Sequence, residues 1–243
     1  MLNKKVVKDI QSLNLKKHRV ETGLFIAEGP KVVRELLQLI PEQFQRIYAT
    51  DTWQKERKDW TPVPVETVTE DELQKISQLQ TANQVLAVLK QLPVEKPVIE
   101  NEWALYLDTI QDPGNFGTII RIADWFGIKQ IICSKGCADL YNSKVIQSTM
   151  ASIARVKVWY DEEENWLSQQ WLPVLAATLG GQSIFEQETI TAGILLIGNE
   201  SKGVRPDFIQ KATHQITIPR IGEAESLNAA VATGIILSHL VKG

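Results

Sequence analysis

Trp103-Ala-Leu-Tyr-Leu107-Asp-Thr-Ile-Gln-Asp112-Pro-Gly-Asn115-Phe-Gly117-Thr-Ile-Ile-Arg121-Ile-Ala-Asp-Trp-Phe-Gly127-Ile-Lys-Gln130-Ile-Ile-Cys133 decides the fold. It opens on a short apolar run, enters a segment of helical apolar spacing that begins near Gly117, and closes on a second apolar run. Further apolar runs at Arg155–Trp159, Val174–Ala177, Ile194–Ile197 and Gln215–Ile218 repeat the alternation. Runs that are apolar throughout suit strands buried on both faces, so the spacing predicts an α/β domain with a mostly parallel sheet. In such sheets ligands bind beyond the carboxyl ends of the strands, so the polar residues just after each run are the candidates for function.

Upstream, a smaller α/β unit is expected. Val6, Ile10 and Leu13 recur at helical spacing, and Leu24–Ala27 reads as a strand. Pro30 opens a helix carrying Val32, Val33, Leu36, Leu37 and Ile40, and Arg46–Ala49 reads as the next strand. Thr69-Glu-Asp-Glu72 has capping-box spacing ahead of a helix to about Gln80, and Gln84–Leu89 closes the unit. Residues 90–102, with Pro93, Pro97 and mixed charge, read as an extended linker. The expected domains are therefore 1–92 and 103–243.

Composition removes whole classes. Hydrophobic residues make up 44% and charged residues 23% of 243, which is globular and far from the disordered regime. The start, Met1-Leu-Asn-Lys-Lys5, lacks a signal-peptide core and no run approaches a membrane span, so a cytoplasmic protein is expected. Cys133 and Cys137 are too few for a disulfide framework and short of a zinc site, and read as structural thiols. The net charge of −3 hides an asymmetry: residues 1–60 hold twelve Lys and Arg against eight Asp and Glu. Within residues 1–20, Lys4, Lys5, Lys8, Lys16, Lys17 and Arg19 face only Asp9. That density suits a polyanion such as RNA, but on charge alone a solvated amphipathic helix is the favoured reading, because basic runs are common on soluble surfaces.

Several common sites are absent. Gly198-Asn-Glu-Ser-Lys-Gly203 continues with Val204-Arg205 where a phosphate loop requires Lys-Ser/Thr, and no G-x-G-x-x-G follows an apolar run. No G-x-S-x-G surrounds a serine, and His18, His214 and His239 share no metal-ligand spacing, so no metal is expected. Three segments remain that packing explains poorly, each after an apolar run: Asp112–Gly127, Gly198–Gly203, and Ile218-Pro-Arg-Ile-Gly222-Glu-Ala-Glu225-Ser226-Leu227-Asn228.

In order and spacing these three segments resemble motifs one, two and three of the SpoU/TrmH family of RNA ribose 2′-O-methyltransferases, of the SPOUT class. Residues 14–37 resemble the start of that family's N-terminal substrate-binding domain, which is similar to ribosomal RNA-binding proteins. The resemblance implies a C-terminal trefoil knot, an exception to the rule against threaded connections. It also implies S-adenosylmethionine as methyl donor, an rRNA or tRNA substrate, and a homodimer with each site near the subunit interface.

Carried onto this chain, the resemblance makes Arg121 the arginine that activates the ribose hydroxyl. A guanidinium seldom deprotonates, so a second role stays open: holding the target phosphate and stabilising a developing alkoxide. Arg121 sits amid Ile119, Ile120, Ile122 and Ala123, where a buried guanidinium needs partners; its plain reading is a surface arginine. Asn115, otherwise a turn residue after Pro113-Gly114, becomes an amide orienting Arg121 or the ribose. Glu200, otherwise a helix N-terminal charge, becomes a carboxylate fixing its loop and Arg121. Ser226 reads as a helix N-cap with Asn228 in the same first turn, and by resemblance both lie beside donor and RNA. Gly198, Ile218 and Leu227 match positions whose backbone lines the adenosyl pocket, and Thr178, Leu179 and Gly180, which follow a strand at the same sheet edge, join them with Asn199 as candidate donor contacts. Lys5, Lys16, Lys17, Arg19 and Arg34 are the candidate RNA contacts.

Gln147 and Ala151 stand where relatives show an Arg-rich start and a Gly, so nothing is expected of that helix. Trp53, Trp60, Trp103, Trp125, Trp159, Trp166 and Trp171 read mostly as packing or interface residues, and Asp161–Glu164 as a helix N-terminus. Two rivals remain: an inactive RNA-binding or ribosome-assembly protein on the same fold, and a base-methylating SPOUT enzyme.

Overall fold

The computed structural model describes residues 2–56, 63–187 and 189–241, so Arg57, Lys58 and Trp60 of the sequence reading lie outside the described residues. The chain runs α1 (Lys4–Ser12), α2 (Lys16–Thr22), β1 (Leu24–Glu28), α3 (Pro30–Leu39), β2 (Phe44–Ala49), α4 (Asp51–Glu56), β3 (Val65–Thr67), α5 (Glu70–Ile76) and β4 (Val85–Lys90). It continues with β5 (Trp103–Leu107), α6 (Pro113–Trp125), β6 (Gln130–Ser134), α7 (Ser143–Thr149), β7 (Lys157–Asp161), β8 (Val174–Ser183), β9 (Gly193–Ile197), α8 (Pro206–Ile209), β10 (His214–Thr217) and α9 (Ala229–Leu240). Two compact units divide it: residues 1–93 with 139–154, and residues 94–138 with 155–243.

In the first unit the strands lie in the order β1-β4-β2-β3, with β4 antiparallel to both neighbours and β3 parallel to β2. One sheet face packs Ile26, Tyr48, Leu86 and Val88 under Ile10 and Leu13 of α1 and Leu73 and Ile76 of α5. The capping box of α5 forms as expected, Thr69 and Glu72 exchanging backbone hydrogen bonds. The helix ends at Ile76, short of Gln80, because the buried Glu28 carboxylate takes the Ser77 hydroxyl at 2.5 Å and the Gln78 N–H at 2.7 Å. Ser77 turns extended at that point.

The first unit also holds residues 139–154, which the linker reading leaves in the second domain. Tyr141 places its ring 4.8 Å from that of Phe25 and accepts from Leu92 N at 2.8 Å, while Gln147 Nε2 donates to Glu28 O at 2.9 Å. Ala151 has φ of 71° and is fully buried. That left-handed conformation strains a residue with a Cβ and would suit glycine.

The second unit carries a wholly parallel sheet in the order β10-β8-β9-β5-β6-β7. β5 and β9, central in the sheet, are buried at every position, the two-sided burial that their unbroken apolar runs predict. From β5 the chain first builds outward through β6 and β7, then crosses to β8, β9 and β10. The reversal between β5 and β9 is the switch point at which such sheets open a crevice. Strand boundaries move by small steps: β7 starts at Lys157 rather than Arg155, β10 ends at Thr217, and β8 runs on to Ser183. Asp161–Glu164 is no helix N-terminus. Asp161 ends β7, and its Oδ2 accepts from Trp166 N at 3.0 Å and from the Tyr106 hydroxyl at 3.1 Å. Trp53, Trp103 and Trp166 are buried as expected, whereas Trp125 and Trp171 are exposed. Cys133 is buried, where desolvation raises its thiol above the ordinary value, and Cys137 Sγ donates to Leu107 O. No described helix is long and apolar enough to cross a membrane.

Candidate active site

Asp112 starts α6 four residues earlier than the apolar spacing suggests. Its side chain caps the helix by accepting from Asn115 N at 2.8 Å, and Pro113 supplies the fixed φ of a first helical residue. Asn115 is thereby held in the first turn of α6, at the carboxyl end of β5. Its Nδ2 donates to Glu200 Oε1 at 2.5 Å and its Oδ1 accepts from Asn228 Nδ2 at 2.8 Å. Asn228 Oδ1 in turn caps α9, accepting from Ala230 N at 3.0 Å and Val231 N at 3.2 Å. One hydrogen-bond chain thus joins the three sequence segments. The cap of α9 is Asn228 rather than Ser226, because the helix begins only at Ala229. Ser226 and Leu227 lie in the exposed stretch before it.

Glu200 owes its position to a tight loop. Asn199 and Gly203 exchange backbone bonds at 3.1 and 2.8 Å, and Asn199 Nδ2 donates to Thr109 O at 2.9 Å, tying this loop to the one after β5. A Cβ on Gly198 would stand 2.2 Å from the carbonyl carbon of Gly203, so only glycine permits the loop to fold back. No helix follows Glu200 until Pro206, so it is not a helix N-terminal charge.

Arg121 is placed otherwise than expected. It is exposed, and it has no hydrogen-bond partner among the described residues. Six residues at about 100° each carry it round to a different face of α6 from Asn115. Within one chain, then, Asn115 and Glu200 engage each other and Asn228 rather than Arg121.

Of the expected adenosyl-pocket residues, all but Leu227 lie on or just after the neighbouring strands β8, β9 and β10. Thr178, Leu179 and Gly180 lie within β8, longer than predicted, and Leu179 O accepts from Thr217 Oγ1 at 3.4 Å, directly before Ile218. Gly198 and Asn199 follow β9, the neighbour of β8. The Thr178 hydroxyl is buried without a hydrogen-bond partner, a vacancy in polar satisfaction that a bound polar ligand would fill.

Comparison with known proteins matches residues 102–238 to the SpoU rRNA Methylase family and residues 3–87 to an MRM3-like substrate binding domain. The chain belongs to the SpoU rRNA methylase family. It is 32% identical, over 96% of its length and 95% of the relative's, to the 23S rRNA (guanosine(2553)-2′-O)-methyltransferase RlmP of Bacillus subtilis. A TrmH-family structure from Porphyromonas gingivalis superposes with a TM-score of 0.87 at 34% identity, covering 99% of this chain and 98% of that one. An AdoMet-bound rRNA methyltransferase from Sinorhizobium meliloti gives 0.85 at 30% identity, covering 99% and 95%. The family and the α/β methylase fold expected from the three segments are both borne out.

The SpoU site has a support that sequence reasoning missed. Asp108, fully buried after β5, accepts from Arg205 Nε and Arg205 N, both at 2.8 Å, and from Ser134 Oγ at 3.2 Å. The Arg205 guanidinium also forks onto Glu164, at 3.0 and 2.7 Å, and lies 4.6 Å over the Phe208 ring. Hydrogen bonding to Arg205 holds the Glu164 carboxyl below its ordinary value. Ser134 Oγ accepts from Thr109 N at 2.9 Å, so the network braces the loop whose carbonyl receives Asn199. The sequence signal was an acid directly after an apolar run; its partners Ser134 and Arg205 lie 26 and 97 positions away and leave no local pattern.

Among the basic residues of the methylase's first unit, Lys5, Lys16 and Lys17 are exposed, and Arg34 is partly exposed 3.6 Å from Glu56. Arg19 is corrected: it is 4% exposed, bonded to Asp139 Oδ2 and to the carbonyls of Leu13 and Asn14 at 2.7 and 2.8 Å. A buried guanidinium with four of its five N–H groups committed to Leu13, Asn14 and Asp139 is a structural brace rather than an RNA contact.

Proposed function

We propose that the chain transfers a methyl group from S-adenosylmethionine to a ribose 2′-hydroxyl of structured RNA, ribosomal RNA foremost. The observation that carries the reading is the Asn228–Asn115–Glu200 hydrogen-bond chain, which unites three distant segments at the switch point of the sheet. When bound, the donor supplies an electrophilic methyl on a sulfonium. Gly180, Gly198 and Ile218 offer it backbone, Leu179 and Leu227 apolar surface, and the unpartnered Thr178 hydroxyl a hydrogen bond. Asn115, Glu200, Asn228 and Ser226 shape the wall against which the ribose is oriented, so that oxygen, carbon and sulfur align. Arg121, exposed and unpaired, takes the phosphate beside the target and stabilises the alkoxide as the hydroxyl loses its proton.

A homodimer completes the reading. Trp125 on α6, Ile221 in the loop before α9 and Val231 on α9 are 85%, 101% and 50% exposed, apolar surface that a second copy would cover. The reading includes the C-terminal trefoil knot that the three segments imply. Residues 1–92 capture RNA through Lys5, Lys16, Lys17 and Arg34, residues 103–243 perform the transfer, and the chain works in the cytoplasm with its RNA. The test is transfer of labelled methyl to total RNA from cells lacking the protein, followed by nucleoside analysis. A labelled, alkali-resistant 2′-O-methylnucleoside is expected; a methylated base, or no label despite bound donor, overturns the reading. Arg121→Ala is expected to lose turnover while still binding donor.

A further inference from the structure

Asp108 and Thr109, which directly follow β5, hold the loop of Glu200 at three points. Asp108 N donates to Ile197 O at 2.8 Å, at the last residue of β9. Two residues on, Asn199 Nδ2 donates to Thr109 O at 2.9 Å, and beyond the loop Arg205 N donates to the buried Asp108 Oδ2 at 2.8 Å. The span from Gly198 to Val204 is thus gripped at both ends by one dipeptide. Inside that span Asn199 Oδ1 accepts from Ser201 N at 2.9 Å and from Lys202 N at 3.3 Å, so the side chain that reaches Thr109 also shapes the turn presenting Glu200.

The backbone at this grip is strained. Thr109 has φ of 53°, in the left-handed region, and among the described residues it is the one β-branched residue with positive φ. A β-branched residue there is an outlier that persists only where its surroundings over-determine it. Here they do: Thr109 N donates to Ser134 Oγ at 2.9 Å, Ser134 Oγ donates to Asp108 Oδ1 at 3.2 Å, and the Thr109 carbonyl receives Asn199. Glu164, whose carboxylate holds the Arg205 guanidinium, is a second left-handed residue of the same network, also with φ of 53°. Backbone strain of this kind clusters at functional sites, and stability alone gives no reason to keep it. What the grip controls is chemical. Glu200 meets Asn115 at 2.5 Å, and a misplacement of about 1 Å at such a site costs up to about 100-fold in rate.

We propose that Asp108 and Thr109 are positioning residues of the methyl transfer, fixing Glu200 against Asn115 through the loop they grip, a role separable from the stability that the Arg205 side chain lends. The proposal rests on the methyltransferase reading. It is tested in the full-length protein by steady-state methyl transfer to RNA from cells lacking it, at a temperature below the melting of every variant. Asp108→Asn keeps the shape of the side chain but turns one acceptor oxygen into a donor nitrogen, and kcat is expected to fall about 10- to 100-fold. Arg205→Met removes only the side-chain bonds and leaves the backbone N–H at 205 on Asp108, so kcat should stay within about twofold of the parent while the melting temperature falls. Asn199→Ala frees the Thr109 carbonyl without touching the buried carboxylate, and should lower kcat about 5- to 10-fold even if Asp108→Asn fails to fold. On a Glu200→Ala background, neither Asp108→Asn nor Asn199→Ala should lower the residual kcat by more than about twofold, because losses that act through one residue do not add. A merely structural role would leave those losses additive. Parent kcat in folded Asp108→Asn and Asn199→Ala, equal kcat losses in Arg205→Met and Asp108→Asn, or additivity with Glu200→Ala would overturn the assignment. A parent that methylates no RNA sinks the functional reading instead.

Discussion

Asn115→Asp replaces one Nδ2 by an oxygen and leaves the shape of the side chain intact. In the parent that nitrogen donates to Glu200 Oε1 at 2.5 Å, whereas in the variant two carboxylates meet at the same point. Asn228 Nδ2 still donates to the retained oxygen, so only the Glu200 side of the chain is disturbed. At a separation near 4 Å, two unit charges repel by about 1 kcal/mol in water and about 4 kcal/mol at the effective dielectric near a protein surface. Divided by 1.36 kcal/mol per pH unit, that raises the higher apparent pKa of the pair by roughly 1–3 units above the usual ~4.3. The sign follows: with the folded value above the unfolded one, the contact is present below the unfolded value and lost as pH rises through the folded one. At low pH the shared proton restores the donor. Methyl transfer by Asn115→Asp should therefore approach the parent near pH 5 and fall away between about pH 5 and 7, with the melting temperature following the same curve. The assay is the ratio of variant to parent kcat across that range at saturating donor. A ratio independent of pH would show that Asn115 and Glu200 are not in contact in the working enzyme.

Gly198→Ala puts a methyl 2.2 Å from the Gly203 carbonyl carbon, and the loop must shift by about an ångström or more to reach ordinary contact; donor binding by calorimetry should be lost while the circular dichroism of the fold persists. Arg205→Met leaves the buried Asp108 carboxylate with Arg205 N and Ser134 as donors. Breaking a buried pair costs about 3–5 kcal/mol, and the 38% exposure of the Arg205 side chain discounts this to about 2 kcal/mol, or roughly 4–8 °C in the melting of the methylase unit. Calorimetry showing no change would remove the network from the list of supports. Glu164, held below its ordinary value by Arg205, contributes stability above the unfolded carboxyl value that is lost as pH falls through the folded one. Acid titration of Glu164→Gln should accordingly show a shallower loss of stability than the parent below about pH 4.5.

By itself the sequence determined the alternation of strand and helix, because burial on two faces demands unbroken apolar runs such as Gly193–Ile197, and such runs are visible locally. It also determined the three polar segments, since each of the segments holding Asn115, Glu200 and Asn228 follows an apolar run. The tertiary structure decided what those residues touch. Asn228 rather than Ser226 caps α9 because its side chain serves two N–H groups and Asn115 at once, a geometry that no spacing within one segment encodes. Arg19 and Arg121 exchanged their expected surroundings for the same reason. A positive charge in a sequence carries no mark of whether a distant carboxylate, such as Asp139, will meet it, so Arg19 became structural and Arg121 was left open to solvent. The brace of Asp108, Ser134, Glu164 and Arg205 belongs wholly to the folded chain. Its bonds span strands adjacent in space and far apart in sequence, and only the order of the sheet brings them within 3.2 Å of one another.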